Sequence, residues 1–179
     1  DQSNHRLVRY DGSHMEYFKH DPENPNTPGG FRPFKLAVAP SGEIWIGYLG
    51  DGLDRYDPYT NTFTHYRHDP DDPASLPNNG VPAVFVDREG MVWLASVAGG
   101  LVRLDPATDT FTHYLYDADD TTSLSDPSVW MSYQDHSGTL WVGTGLPFPC
   151  VSPDKGGLNQ FHPELGTFTR YLPDPENPN

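Results

Sequence analysis

The chain has 179 residues and a formal net charge of −14, because 25 acidic residues outnumber 11 Lys and Arg. A field of that sign repels phosphate backbones and anionic lipid headgroups, so nucleic acid is not an expected partner. No apolar run reaches the ~18 residues of a membrane span, and we expect no direct membrane insertion of this segment. The 17 Gly and 19 Pro residues favour short strands and tight turns, which predicts an all-β fold.

The N-terminal stretch predicts two strands and a connector. Apolar and aromatic residues alternate with polar ones in segments 7–11 and 15–19, which Gly12 separates. An acidic, Pro-rich stretch follows at 21–26, and its letters DPENPN return at 174–179. We interpret both acidic stretches as connectors between structural units.

A repeat of 48 residues follows, marked by Trp45, Trp93 and Trp141. Each unit holds four strand-like segments: an apolar first strand, a Gly turn into the Trp-containing second, a third that begins Gly-Leu, and a fourth that reads Thr-Phe-Thr-x-Tyr. The segments 7–11 and 15–19 match the third and fourth of these strands.

Four strands in 40 to 50 residues is the period of a β-propeller blade. We therefore predict an all-β, β-propeller segment of about 3.5 four-stranded antiparallel blades. Seven such blades would need roughly 336 residues, so the segment corresponds to half of a seven-bladed ring. We expect the remaining blades to come from the same, longer chain, with another copy as the alternative. The predicted units are a half-blade with its connector at 1–30, a first blade at 31–80, a second at 81–126 and a third at 127–179.

The turns that precede each Trp are similar to the Asp-box of sialidases. Asp can accept hydrogen bonds from its own turn amides, and Trp can pack between blades, so we predict a structural role. The carboxylates recur with the repeat, and no nucleophile elbow, phosphate loop or isolated carboxylate pair stands out. The spacing of His65 and His68 points them to opposite faces of a strand. We therefore expect no catalytic residues, metal or cofactor in this segment, although an enzyme is not excluded.

The third blade contains an insertion at about 146–155, between its second and third strands. In a propeller this loop lies on the same face as the blade connectors, around the mouth of the central channel. An aromatic residue with nearby charges there could bind a small ligand, while a neutral insertion is the alternative. The predicted ligand-binding residues are Tyr48, Asp51, Phe148, Asp154 and Lys155.

The repeat resembles the two-component regulator propeller repeat. The pattern Asp-x-x-Gly-x-x-Trp is carried by residues 87–93, Gly-Leu-x-Arg-x-Asp by 100–105, Phe-x-x-Tyr by 111–114, and the end of an acidic loop by Ser123-Leu124. The first blade departs from the pattern, since Ala39 stands where Asp is expected. The resemblance implies the sensor region of a hybrid histidine kinase or related regulator, in the periplasm.

From this resemblance we expect a ligand-sensing or carbohydrate-recognising segment of an extracytoplasmic two-component sensor, periplasmic or extracellular. Its expected partner is a small molecule or an oligosaccharide. One alternative is a glycan-cleaving propeller enzyme, a hydrolase or lyase, whose catalytic residues lie in other blades. A second alternative is a protein-interaction scaffold.

Overall fold

The structure is a computed structural model that describes residues 7–30, 32–145 and 156–173. Those residues contain fourteen β-strands and no helix, and therefore no helix that could cross a membrane. The strands, in chain order, are β1 (Leu7–Tyr10), β2 (Met15–Phe18), β3 (Pro33–Val38), β4 (Ile44–Tyr48), β5 (Leu53–Asp57), β6 (Thr62–Tyr66), β7 (Ala83–Val86), β8 (Val92–Ser96), β9 (Gly100–Asp105), β10 (Thr110–Tyr114), β11 (Val129–Gln134), β12 (Leu140–Thr144), β13 (Gly157–His162) and β14 (Thr167–Tyr171).

The strands form one two-stranded sheet and three four-stranded sheets in which chain neighbours pair antiparallel. Strands β1–β2 form the half-blade, β3–β6 the first blade, β7–β10 the second and β11–β14 the third. The Trp of each second strand pairs with the same repeat position of the third strand, as in Trp45↔Arg55 and Trp93↔Arg103. The predicted fold class, a β-propeller segment of four-stranded antiparallel blades, is confirmed.

Each blade turns from its first to its second strand around a glycine. Gly42, Gly90 and Gly138 have φ of 95°, 87° and 90°, a left-handed region that other residues rarely adopt. The amide of each glycine donates to the carbonyl three residues earlier, as in Gly90 N to Asp87 O at 3.1 Å. The same type of turn therefore precedes the second strand in all three blades.

The core lies between blades, because alternate residues of each strand face opposite neighbours. Trp45 belongs to the cluster between the first and second blades, whereas Ile46 belongs to the cluster between the first blade and the half-blade. Trp93 lies in the cluster between the second and third blades together with Phe161. Face-to-face packing of this kind is the propeller arrangement, and it leaves the strand ends to form two loop-bearing faces.

Candidate functional site

The connector face carries the blade connectors and the loops between second and third strands. In the first blade, Leu49 bridges to Gly80 of the connector. In the second, Val97 N donates to Gly80 O at 3.1 Å, and in the third, Gly145 N donates to Ser128 O at 2.9 Å. These backbone bonds confirm the expectation that the second-to-third-strand loops share a face with the connectors.

Two of the five predicted ligand-binding residues, Tyr48 and Asp51, belong to the described part of the chain. The other three, Phe148, Asp154 and Lys155, belong to the insertion at 146–155, which is outside the described residues. Their convergence with Tyr48 and Asp51 remains a prediction.

Tyr48 lies beneath the connector face rather than on it. Its side chain is 1% exposed, and its hydroxyl donates to Asp54 Oδ2 at 2.8 Å. Burial, followed by the negative charge of Asp54, raises the pKa of the phenol above its usual value, so Tyr48 is a neutral donor. Asp51 is half-buried, and its side chain and that of Tyr48 both lie close to Gly29. A Cβ added to Gly29 would be 3.1 Å from Tyr48 Cζ and 3.2 Å from Asp51 Oδ2.

Asp54 is the centre of a buried polar network that sequence reasoning missed. The residue is 0% exposed, and its carboxylate accepts four hydrogen bonds. Oδ1 accepts from His65 Nδ1 at 2.7 Å and from Arg67 Nη2 at 2.8 Å. Oδ2 accepts from the Tyr48 hydroxyl and from Gly29 N, both at 2.8 Å. Four donors fill the acceptor capacity of a carboxylate, which is how a buried charge is tolerated.

The network fastens the first connector to the first blade. His65 Nε2 contacts Pro25 O at 2.7 Å, and Arg67 Nη1 donates to Leu53 O at 2.8 Å. In the third blade, Arg170 occupies the repeat position of His65. It donates to Asp120 O at 2.7 Å and to Leu124 O at 2.8 Å. This position of the fourth strand therefore holds the preceding connector in place in both blades.

The acidic connectors use their carboxylates to build turns. Asp21, Asp69 and Asp117 each accept from the amide two residues later, at 3.0, 2.9 and 2.9 Å. The amides of Asp69 and Asp117 in turn donate to the hydroxyls of Ser75 and Ser123, at 2.9 and 2.8 Å. The acidic side chains of these connectors therefore serve to form turns.

The Asp-x-x-Gly-x-x-Trp turns have the structural role expected of them. Asp87 Oδ1 accepts from Glu89 N at 3.1 Å and Met91 N at 2.8 Å, while Oδ2 accepts from Trp93 Nε1 at 2.7 Å. In the first blade the Ala39 side chain has no acceptor atom, and the buried Trp45 Nε1 has no hydrogen-bond partner.

Asp135 binds the third turn in the same way. Its Oδ2 accepts from Trp141 Nε1 at 2.8 Å, and its Oδ1 accepts from Thr139 N at 3.0 Å. Hydrogen bonds from the Ser137 hydroxyl and the Trp141 indole lower the pKa of Asp135 to about 2.

The histidines considered as metal ligands have other partners. His65 joins Asp54 to Pro25, and His68 Nδ1 contacts Leu76 O at 2.7 Å. Within the described residues, no group of three or more His, Cys, Asp or Glu is arranged to hold a metal ion.

A family model described as two component regulator propeller matches residues 123–145, which span the end of a connector and strands β11 and β12. This segment is similar to a two-component regulator propeller repeat. The resemblance predicted from the sequence is therefore confirmed. No curated protein sequence matches the chain.

Solved structures with this fold include extracellular domains of B. thetaiotaomicron. The domain described for the hybrid two component system BT3049 has 24% identity and a TM-score of 0.61, over 92% of this chain and 27% of that chain. The domain of BT4673 has 20% identity and a TM-score of 0.62, over 87% and 18%. Virginiamycin B lyase from Staphylococcus aureus has 14% identity and a TM-score of 0.61, over 95% and 50%. At these identities the likeness shows the fold alone, and the chain spans half of those proteins or less.

Proposed function

We propose that the chain is a ligand-sensing, carbohydrate-recognising propeller segment of a two-component sensor, in the periplasm or outside the cell. The observation that carries the proposal is the two-component regulator propeller repeat at residues 123–145. The names of the B. thetaiotaomicron domains, which are described as extracellular parts of such systems, support the location.

The construction of the connector face supports the placement of the ligand site. Backbone bonds fix the loops of this face to the connectors, and the Asp54 network holds the first connector from below. A rigid scaffold that carries variable loops is the usual arrangement for recognition. We propose that the loop at 146–155, with Phe148, Asp154 and Lys155, contacts the ligand beside Asp51, while Tyr48 positions the surface from beneath.

The test is thermal unfolding of the 179-residue chain against a panel of neutral oligosaccharides at millimolar concentration. A ligand present at a hundred times its dissociation constant stabilises the folded state by about 2.7 kcal/mol, which raises Tm by several degrees. Phe148→Ala should remove this shift. The matched control is Tyr59→Ala, which deletes an 83% exposed aromatic side chain in a turn on the opposite face.

Three outcomes would contradict the proposal. If no saccharide raises Tm, or if Tyr59→Ala removes the shift as completely as Phe148→Ala, the connector face does not recognise carbohydrate. If the saccharide is consumed, as mass spectrometry of the mixture would show, the chain is a glycan-cleaving enzyme instead.

A further inference from the structure

A polar cleft of about 490 Å³ lies between the second and third blades on the turn face, which is opposite the connector face. Its walls come from the first-to-second-strand turns of both blades, from strands β8, β9 and β10 of the second blade, and from the end of β11 and strand β13 of the third. A volume of this size fits a small ligand. The side chains that line the cleft include Glu89, Trp93, Arg103, Tyr114, Gln134 and Gln160.

Arg103 differs from its counterpart in the preceding blade by having no anionic partner. Both arginines stack on the Trp of their blade, with Cζ 5.8 Å from the ring centroid. Arg55 lies 3.7 Å from Glu43 Oε1 and 3.8 Å from Asp109 Oδ1. Arg103 has no ion pair within the described residues, and its buried Nε has no hydrogen-bond acceptor.

The sequence explains this difference, because both carboxylates are replaced one repeat later. Met91 stands where the first blade has Glu43, and Gly166 of the third blade stands where the second has Asp109. Asp109 also accepts from the Tyr66 hydroxyl at 2.6 Å, whereas Gly166 offers Tyr114 no such acceptor. Arg103 and Tyr114 of the cleft thus correspond to Arg55 and Tyr66, which both contact the Asp109 carboxylate. The cleft has the two donors but lacks this carboxylate.

We propose that this cleft binds a small hydroxylated carboxylate, a sugar acid, whose carboxylate takes the place that Asp109 has in the preceding blade. A guanidinium binds a carboxylate through two parallel hydrogen bonds, and such charge-assisted bonds are about twice as strong as neutral ones. The amides of Gln134 and Gln160 line the same cleft and can bind the hydroxyl groups. Local complementarity is needed because the net charge of −14 repels anions at long range.

Two acidic side chains, Asp87 and Glu89, also line the cleft. Both oxygens of Asp87 are engaged by turn amides and by the Trp93 indole. Glu89 lies on the rim, where its negative charge opposes binding. The proposal is independent of the connector-face function, because the cleft is at the other end of the strands.

The experiment is an NMR titration of the ¹⁵N-labelled chain with sodium glucuronate at constant ionic strength, followed at the arginine Nε–Hε resonances. The uncharged methyl ester of glucuronate is the ligand control, and Arg55, which already has carboxylate partners, is the internal control. We expect a saturable shift of Arg103 with glucuronate, a much smaller one with the ester, and none at Arg55.

The decisive variant is Gly166→Asp, which supplies the missing carboxylate from the protein itself. Gly166 has φ of 67°, close to the 53° of Asp109, and an added Cβ would meet only Tyr114 Cε1 at 3.8 Å, so the backbone accepts aspartate. We expect glucuronate to bind at least about tenfold more weakly, the equivalent of one charged hydrogen bond. Arg103→Gln should have the same effect, and Glu89→Gln should tighten binding.

The proposal is overturned if Arg103 does not respond to glucuronate, or if the ester shifts it equally. It is also overturned if Gly166→Asp binds glucuronate with unchanged affinity. None of these results bears on the connector face, which is assayed with neutral oligosaccharides.

Discussion

The first and second blades pair their strands in the same register, yet they place buried polar groups at different positions. Asp54 of the first blade and Val102 of the second occupy one repeat position, and both are 0% exposed. Conversely, the first blade has Ala39 where the second has Asp87, so only the second gives its Trp indole an acceptor. The two blades therefore share their apolar and glycine positions and their backbone, but differ in their buried hydrogen bonds.

The largest effect is expected from Asp54→Ala. The substitution leaves the guanidinium of Arg67, the imidazole of His65 and the Tyr48 hydroxyl without their shared acceptor. Breaking a buried charge network of this kind costs about 3 to 5 kcal/mol of the free energy of unfolding, which urea unfolding measures. The control, Asp57→Ala in the same strand, loses only bonds in an exposed turn and should cost far less. Equal losses would show that Asp54 has no special role.

Asp87→Ala gives the second blade the turn of the first. Trp93 Nε1 and the amides of Glu89 and Met91 lose their acceptor, and the indole is buried with Trp93 5% exposed. We expect a loss of about 2 kcal/mol by urea unfolding, because a buried donor without a partner retains its desolvation cost. A loss below the error of the measurement would mean that the turn tolerates alanine without cost in either blade.

Ala39→Asp is the reverse exchange. The backbone bonds of the first-blade turn match those of the second: Gly42 N donates to Ala39 O at 2.9 Å, and Gly90 N donates to Asp87 O at 3.1 Å. Aspartate should therefore accept from the Trp45 indole and raise the free energy of unfolding by about 1 kcal/mol. Ala39→Asn is the control, since its amide can accept only through one oxygen. A decrease in stability with Ala39→Asp would show that the turns are not equivalent.

The smallest effect concerns pH at the third turn. The pKa of Asp135 is lowered from 3.8 to about 2 in the folded state, so its contribution to stability is present above about pH 4 and is lost as the pH falls towards 2. Asp135→Asn should make the unfolding midpoint less dependent on pH over this interval. Identical pH profiles for the two chains would contradict the assignment, as would a Trp141 indole resonance that does not titrate near pH 2.

Much of the fold could be predicted because its signals are local and repeated. Three patterns indicate the same four-strand unit in each repeat: the Gly turns, the alternation of Thr with aromatic residues, and the spacing of Trp45, Trp93 and Trp141. The connector face also followed from the strand order, since connectors and second-to-third-strand loops must lie at the same strand ends.

The buried polar network could not be predicted in the same way. The Asp54 carboxylate accepts from residues 29, 48, 65 and 67, which belong to a connector, to strand β4, and to strand β6 and the segment just after it. Tyr48 was predicted at a ligand surface, and its packing beneath that surface depends on how the connector closes over it. The signal that could have revealed the network is the charge of Asp54 at a position where the next repeat has Val102.

By itself the sequence determined the repeat unit, the strand pairing within a blade and the turns, because hydrogen bonds and backbone conformation over short distances specify them. Only the tertiary structure decided which charges meet across blades. Arg55 forms an ion pair with Asp109 of the next blade, whereas Arg103 lines an open cleft and the position that corresponds to Asp109 is Gly166. The identity of a cross-blade partner depends on packing between units 48 or more residues apart, and one blade's own residues cannot specify it.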